Sequence, residues 1–379
     1  MNKRKLLVPV EWLALLFLIF GSCEKSVVEN QKAVENQKAV ENQKAVENQK
    51  DVIVLDTQTR GTHLSLVGDI TLEFPEAGPA LGRVGSVTIA EDYILILDNM
   101  RKSVEVFDRE GSYKGAIGSR GDGVGQYKIP LGSAVIPNTG QMLIYDGGTM
   151  QILRFSLKGE FVGRVKLSER RAINHMVVSE DHNLVHTYVD KNKNGMLCVT
   201  SLDTGEDLAR FKVCDPQYRK LFFGLQRSQG LAYDEARKII YFVLPWEVEV
   251  MRIDLAAQEF LPSLTINHPK FISLKLDDGK TGKELLKANF SKLFGMSILS
   301  SGDILLRYRF ERSLNSIGFI FLSDLSVQPY AQEMKNELGY NIFTCYGMSI
   351  YEYLSSAAED TNGRIRIYRL IDTPESPTS

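Results

Sequence analysis

Cysteine, histidine and tryptophan are scarce in this sequence: four, five and two among 379 residues. The cysteines stand at 23, 198, 214 and 345 with no CxxC spacing, which excludes a zinc ribbon or finger. No GxSxG occurs, so the nucleophile elbow of a serine hydrolase is missing. Excess charge of one sign is missing too: net charge is −2, with Lys and Arg scattered among Asp and Glu. A nucleic-acid surface needs a basic stripe, and none is present. No apolar run is long enough to span a bilayer. Trp12 to Phe20 gives nine apolar residues, about 13 Å as a helix against a core of about 30 Å.

That short run follows Lys3, Arg4 and Lys5, the layout of a secretory signal. It ends at Phe20-Gly21-Ser22-Cys23, small residues leading directly to a cysteine, as in a bacterial lipoprotein lipobox. The expectation is a signal peptide over 1–22 and a lipid membrane anchor on Cys23. A plain secretory signal with an incidental cysteine is the alternative. Export would place the chain where disulfides are permitted. After Cys23, VENQK recurs at 28–32, 34–38, 40–44 and 46–50. A period of six turns successive valines by about 240° around a helix, so no apolar stripe forms. The segment 23–61 therefore reads as a low-complexity spacer.

What the chain does have is repetition. ILILDNMRKSVEVFDREGSYKG (94–115) and MLIYDGGTMQILRFSLKGEFVG (142–163) align without a gap at an offset of 48 residues. Asp98 falls on Asp146, Phe107 on Phe155, Gly111 on Gly159 and Gly115 on Gly163. A period of about 40–50 residues with four short strands per unit is the pattern of a β-propeller blade. The spacing predicts blades over 82–118, 130–167, 172–213, 229–267 and 293–330, with FTCYGMSI and RIRIYRLI left for an incomplete last blade. An open edge needs a partner, and Leu64–Phe74 has no blade of its own. Pairing it with Arg364–Leu370 closes six blades; seven would need about 40 more residues. The fold class predicted is all-β, a six-bladed β-propeller over 62–372 with a flexible tail at 373–379. Insertions at Asp215–Ser228, Ser263–Lys292 and Gln332–Tyr340 break the rhythm. The second contains GKTGKELLKANFSKLF, whose Leu285, Leu286, Phe290 and Leu293 have helical spacing.

The run from Gly82 to Ile129, with its strand Ile94–Asp98 and the Gly- and Asp-rich stretch Phe107–Tyr127, resembles the six-bladed propeller lipoproteins of Bacteroidota. These are relatives of the NHL-repeat propellers. Val124 and Gln126 stand where that family usually has Pro and Glu. The resemblance implies an exported, lipid-anchored protein of the cell envelope, at the outer membrane, and no common activity.

Chemistry-bearing residues are few. Gly118–Pro130 is rich in glycine, but it links strand to strand and no GK[ST] ends it, so the phosphate-binding helix terminus is absent. Asp98 and Asp146 end second strands, where aspartate commonly caps backbone N–H groups. They also stand on the face where propellers bind ligands, with Arg101, Thr149, Trp246, Glu247, Arg307 and Arg309. Trp246, after Pro245 in a polar turn, is the best single candidate for stacking on a sugar or aromatic ligand, though a partly buried packing role is the reading favoured for it. Only His175 lies where a propeller lyase would gather metal-binding histidines, and one histidine makes no zinc site. Counting from the Asp203-Thr204-Gly205 turn sets Cys214 opposite residue 195, out of register with Cys198 for a bridge. The reading is a monomeric, non-catalytic binding or scaffold module for a glycan, peptide or protein, with no cofactor, no metal and no nucleic acid. A metal-assisted lyase or lactonase is the alternative.

Overall fold

Strand follows strand because each short run of β-branched and aromatic residues ends in an Asp, Asn or Gly turn. The computed structural model of the chain describes residues 53–58, 62–75, 81–173, 175–215, 222, 230–274, 284–285, 289–310, 317–323, 330–334, 342–354 and 363–372. The signal segment 1–22, Cys23, the VENQK repeats and the tail lie outside these, as do most of the first and third insertions and of the helix expected within the second.

β1 (Ile53–Gln58) and β2 (Thr62–Thr71) come first. Blade 1 is β3 (Val84–Ala90), β4 (Tyr93–Asp98), β5 (Ser103–Asp108) and β6 (Tyr113–Ile117). A small pair, β7 (Ser119–Arg120) and β8 (Gln126–Tyr127), folds the Gly-rich link. Blade 2 is β9 (Pro130–Ile136), β10 (Gln141–Asp146), β11 (Gln151–Ser156) and β12 (Phe161–Val165). Blade 3 is β13 (Met176–Val178), β14 (Asn183–Val189), β15 (Gly195–Ser201) and β16 (Asp207–Cys214). Blade 4 is β17 (Gly230–Asp234), β18 (Ile239–Val243), β19 (Glu249–Asp254) and β20 (Glu259–Asn267). Blade 5 is β21 (Lys292–Ile298), β22 (Ile304–Arg309), β23 (Ile317–Ser323) and β24 (Tyr330–Met334). The last blade joins β25 (Ile342–Tyr346), β26 (Ser349–Leu354) and β27 (Arg364–Asp372) to β2.

Pairing of β2 with β27 runs antiparallel from Thr62↔Asp372 to Thr71↔Arg364, the closure that the sequence predicts. Second strands are apolar along their whole length (YILILD, for example) because both faces are buried between neighbouring blades. Outermost strands such as β6 and β12 alternate, with every second side chain in solvent. Apolar clusters fill each gap between successive blades. The one linking last to first joins Tyr353 and Ile365 to Ile94, Ile96 and Phe107, which makes the fold a ring.

Two glycines are fixed by close approach. A Cβ on Gly111 (φ 97°) would lie 2.1 Å from the Thr71 carbonyl oxygen, and one on Gly118 (φ 68°) 2.5 Å from the Tyr127 ring. Tyr127, fully buried, donates its hydroxyl to the Ile117 carbonyl at 2.7 Å.

Two features differ from the sequence reading. Ile53–Gln58, which falls within the span read as spacer, is a strand. It runs parallel to both β20 and β24, fusing blades 4 and 5 into one nine-stranded sheet. Leu55 is 4% exposed between those blades, whereas Val54 is 61% exposed. Secondly, Lys292–Phe294, the end of the expected helix, belongs to β21, because its backbone pairs with β22.

Candidate functional site

In every blade the innermost strand begins, and the second strand ends, on one face of the ring. The eight ligand candidates from the sequence stand at or near these termini, and the structure sorts them by burial. Asp98 is fully buried and accepts the N–H groups of Gly82 (2.6 Å), Met100 (2.8 Å) and Arg101 (3.0 Å). Asp146, 1% exposed, accepts from Ile129, Gly148 and Lys128 and from the Thr149 hydroxyl at 2.7 Å. Burial alone would raise the Asp146 pKa; these hydrogen bonds outweigh it and hold the carboxyl below its ordinary value. Both aspartates and Thr149 are thereby committed to holding the turns.

Arg101 reaches Glu105 at 3.5 Å and lies over the Phe74 ring. Trp246 is 2% exposed within the cluster between blades 3 and 4, so its ring packs and is not presented for stacking. Glu247 is half-buried, and burial, with Glu249 nearby, pushes its pKa to about 7.

Arg307 and Arg309 converge with a residue that the sequence reading passed over. Lys292 pairs across from Arg309 at the start of blade 5. The strand register slips between Leu293 and Gly295, and Phe294 bulges out there. Lys292 Nζ, the Arg307 guanidinium and the Arg309 guanidinium lie 5.3, 5.7 and 5.3 Å from the centre of the Phe294 ring. Arg307 is 5% exposed and also lies over Phe343 of blade 6 at 5.5 Å. Among the described residues neither Lys292 nor Arg309 has a carboxylate partner, and the buried Nε of Arg309 has no hydrogen-bond acceptor. Burial, with Arg309 beside it, lowers the Lys292 pKa to about 8. Concentrated positive charge with partial desolvation and an apolar floor is suited to an anion.

The register sharpens the point. Val84↔Asp98, Pro130↔Asp146 and Lys292↔Arg309 are equivalent pairs in blades 1, 2 and 5. Where blades 1 and 2 carry an internal acid cap, blade 5 carries a cation. Aligning ILLRYRF with YILILDN and QMLIYDG sets Arg309 on Asp98 and Asp146, a signal legible in the repeat.

The family model for a domain of unknown function, DUF4934, matches residues 80–324, more than half of the chain. The chain belongs to the DUF4934 family. No curated protein matches it. A protein described as exported, from Bacteroides fragilis, superposes with a TM-score of 0.61 at 14% identity, over 84% of this chain and 99% of that one. A DUF4221 family member from Bacteroides vulgatus gives 0.59 at 11% identity, over 83% of this chain and 100% of that one. At such identities the likeness shows the fold.

Among the described residues of this DUF4934 chain one group has metal-ligand chemistry: His186, Cys198 and Asp207, with ligand atoms within 4.8 Å of one another. It does not suit a metal. Asp207 already receives Arg171 (2.9 Å), Arg210 (2.8 Å from Nε) and the Thr200 hydroxyl (2.7 Å). Burial pushes the Cys198 thiol up to about 12, far from the thiolate that a metal needs. His182, four residues before His186, lies in the turn ahead of β14 and not in this group. The group is an ion-paired latch: Arg171, from the link between blades 2 and 3, also accepts the Tyr145 hydroxyl on its carbonyl at 3.2 Å. Cys198 and Cys214 are free thiols, facing Arg210 and Gly195 across the β15–β16 pair as the turn count predicts.

Proposed function

We propose that this chain is a non-catalytic binding module of the bacterial envelope, monomeric and lipid-anchored at Cys23, that takes an anionic ligand on its loop face. The observation that carries the reading is the pair Lys292 and Arg309, held over Phe294 with no carboxylate partner among the described residues. A structural ion pair would have its acid beside it, as Asp207 has Arg171. An acidic glycan or an acidic peptide segment has the chemistry to fill such a site. The exported relative from Bacteroides fragilis, alike in fold, supports an envelope location, as does the N-terminal signal pattern.

Binding is tested by calorimetry with anionic and neutral saccharides of equal size. Binding confined to the anionic members, weakened at least about tenfold by Arg309→Gln, fits loss of a charge-assisted contact. Equal binding of neutral and anionic sugars would sink the reading. Anchoring is tested separately: Cys23→Ala moves the protein from the membrane fraction to the soluble fraction if that residue is acylated, and unchanged partitioning refutes it.

A further inference from the structure

We propose that the Lys292–Arg309 site holds a dianion, the terminal phosphate of a phosphate monoester, with Arg307 alongside and Phe294 and Phe343 against the organic part. This rests on the anion-binding reading and narrows it by charge count and shape.

Two positive side chains, Lys292 and Arg309, stand there without an acid among the described residues. A carboxylate or a sulfate ester brings one negative charge and leaves the other cation uncompensated. A phosphate monoester brings about −1.5 to −2 at neutral pH and three acceptor oxygens. The donors suit those oxygens: the guanidinium of Arg309 offers a planar fork, and the Lys292 ammonium a compact charge. The Phe294 ring lies beneath the three cations, and Phe343 flanks Arg307 from blade 6. They put aromatic surface beside the cations, against which a carbon skeleton can lie.

Proton linkage gives a second signature. The half-buried ammonium has lost part of its hydration, and a dianion beside it restores what burial removed. Binding therefore raises the Lys292 pKa above its free value of about 8. Above that pH binding takes up a proton, and affinity falls as pH rises. Arg307 and Arg309 face Lys292 from β22, and Phe343 stands on β25. Glu247 lies on the blade 4 loop whose Pro245 carbonyl accepts the Leu293 N–H at 2.8 Å, and Glu249 opens β19 just beyond it. Glu247 titrates near 7, so its contribution is removed separately with Glu247→Gln.

The test is titration calorimetry of the full chain with glucose 6-phosphate and inorganic phosphate, against glucuronate, glucose 6-sulfate and glucose. Glucose 6-phosphate is expected to bind at least about tenfold more tightly than glucuronate. Arg309→Gln and Lys292→Met should each weaken it about tenfold or more. Between pH 7.5 and 9 the affinity should drop in the native chain and in Glu247→Gln, with proton uptake measured in two buffers, and stay flat in Lys292→Met. Unchanged melting temperatures separate loss of binding from loss of fold. A soluble phosphosugar and a phosphorylated lipid headgroup share this chemistry. Phosphatidylcholine vesicles with and without phosphatidic acid, compared with free glucose 6-phosphate, tell which source reaches the site. Glucuronate or glucose 6-sulfate binding as tightly as glucose 6-phosphate overturns the dianion and leaves the anion site standing. No binding of any anion overturns both.

Discussion

Asp98 and Arg309 occupy the same position in their blades, the last residue of the second strand, and carry opposite charge. The aspartate is enclosed by three backbone N–H groups. The arginine keeps its charge for the loop face and has no acceptor on its buried Nε. One position thus serves blade closure in one sheet and offers recognition in another.

Removing the cap should cost stability. Asp98→Ala leaves the Gly82, Met100 and Arg101 N–H groups without the acceptor that the fully buried carboxylate gives them. A loss of about 2–4 kcal/mol is expected, since each orphaned buried donor carries its desolvation cost. Arg309→Gln, which breaks no ion pair, should change stability by less than about 1 kcal/mol. Urea unfolding of the two variants decides; an Asp98→Ala chain as stable as the parent would show that water replaces the carboxylate freely.

Much of this was legible in the residues themselves. The 48-residue offset, the Asp turns and the leftover strand at Leu64 specify the blades and their closure, because period and pairing follow directly from strand geometry. Trp246 was harder: packing is the favoured reading of its turn, but only the structure shows the Pro245–Glu247 corner folded inward against blade 3. β1 was harder still. A single strand inserted between two blades has no repeat partner, and VIVLD beside a low-complexity tract carries no period. Lys292 escaped notice because its neighbours Leu285, Phe290 and Leu293 have helical spacing. What makes it functional is the register with Arg309 and the bulge at Phe294, which are tertiary facts. The three-residue alignment of Arg309 on the two aspartates was available and would have singled out blade 5.

The ring is latched by apolar pairing more than by charge. Asp69 and Arg364 form an ion pair between residues 295 apart in sequence, but Arg364 is half exposed, and such pairs contribute about 0–1 kcal/mol. Ile365, beside it, is fully buried between the last blade and the first. Ile365→Ala should cost about 2–5 kcal/mol, whereas Asp69→Ala should cost less than about 1 kcal/mol. Thermal unfolding of both variants measures the contrast, and a larger loss for Asp69→Ala would reverse the assignment.

β1 should matter through one side chain. Leu55 fills the gap between blades 4 and 5, next to Leu264, Ile266 and Ile320, while Val54 points to solvent. Leu55→Ala is expected to cost about 2–4 kcal/mol, and Val54→Ala to stay within about 0.5 kcal/mol. Hydrogen exchange of β20 and β24 adds a local readout: their outer-edge amides should exchange faster in Leu55→Ala. Equal behaviour of the two variants would mean that the strand rests on the propeller without supporting it.

Acid should unfold the protein in two windows set by the blade 3 latch. His186 is wholly buried, with Nε2 3.2 Å from the Thr200 hydroxyl, and burial, then the Arg171 charge, lowers its pKa to about 3. In the unfolded chain the same ring takes a proton near pH 6.5. Its folded pKa is depressed, so its contribution is complete above about 6.5 and is lost as pH falls, at about 1.4 kcal/mol per unit. Burial would raise Asp207, but the Thr200 hydroxyl and Arg171 bring it down to about 2. Its unfolded value is about 3.9, so it adds a further loss of about 2 kcal/mol between pH 4 and pH 2. Glu247 titrates in the opposite sense over the same range, so the measurement is made in a Glu247→Gln background, where urea midpoints from pH 8 to pH 3 should begin to fall near 6.5 and steepen near 4. His186→Gln added to that background should be flat between 6.5 and 4.5 whatever its absolute stability, because it removes the proton and leaves a polar neighbour for Thr200. If that variant keeps the parent's slope in this window, the proton is taken up elsewhere and the buried latch is not what acid opens.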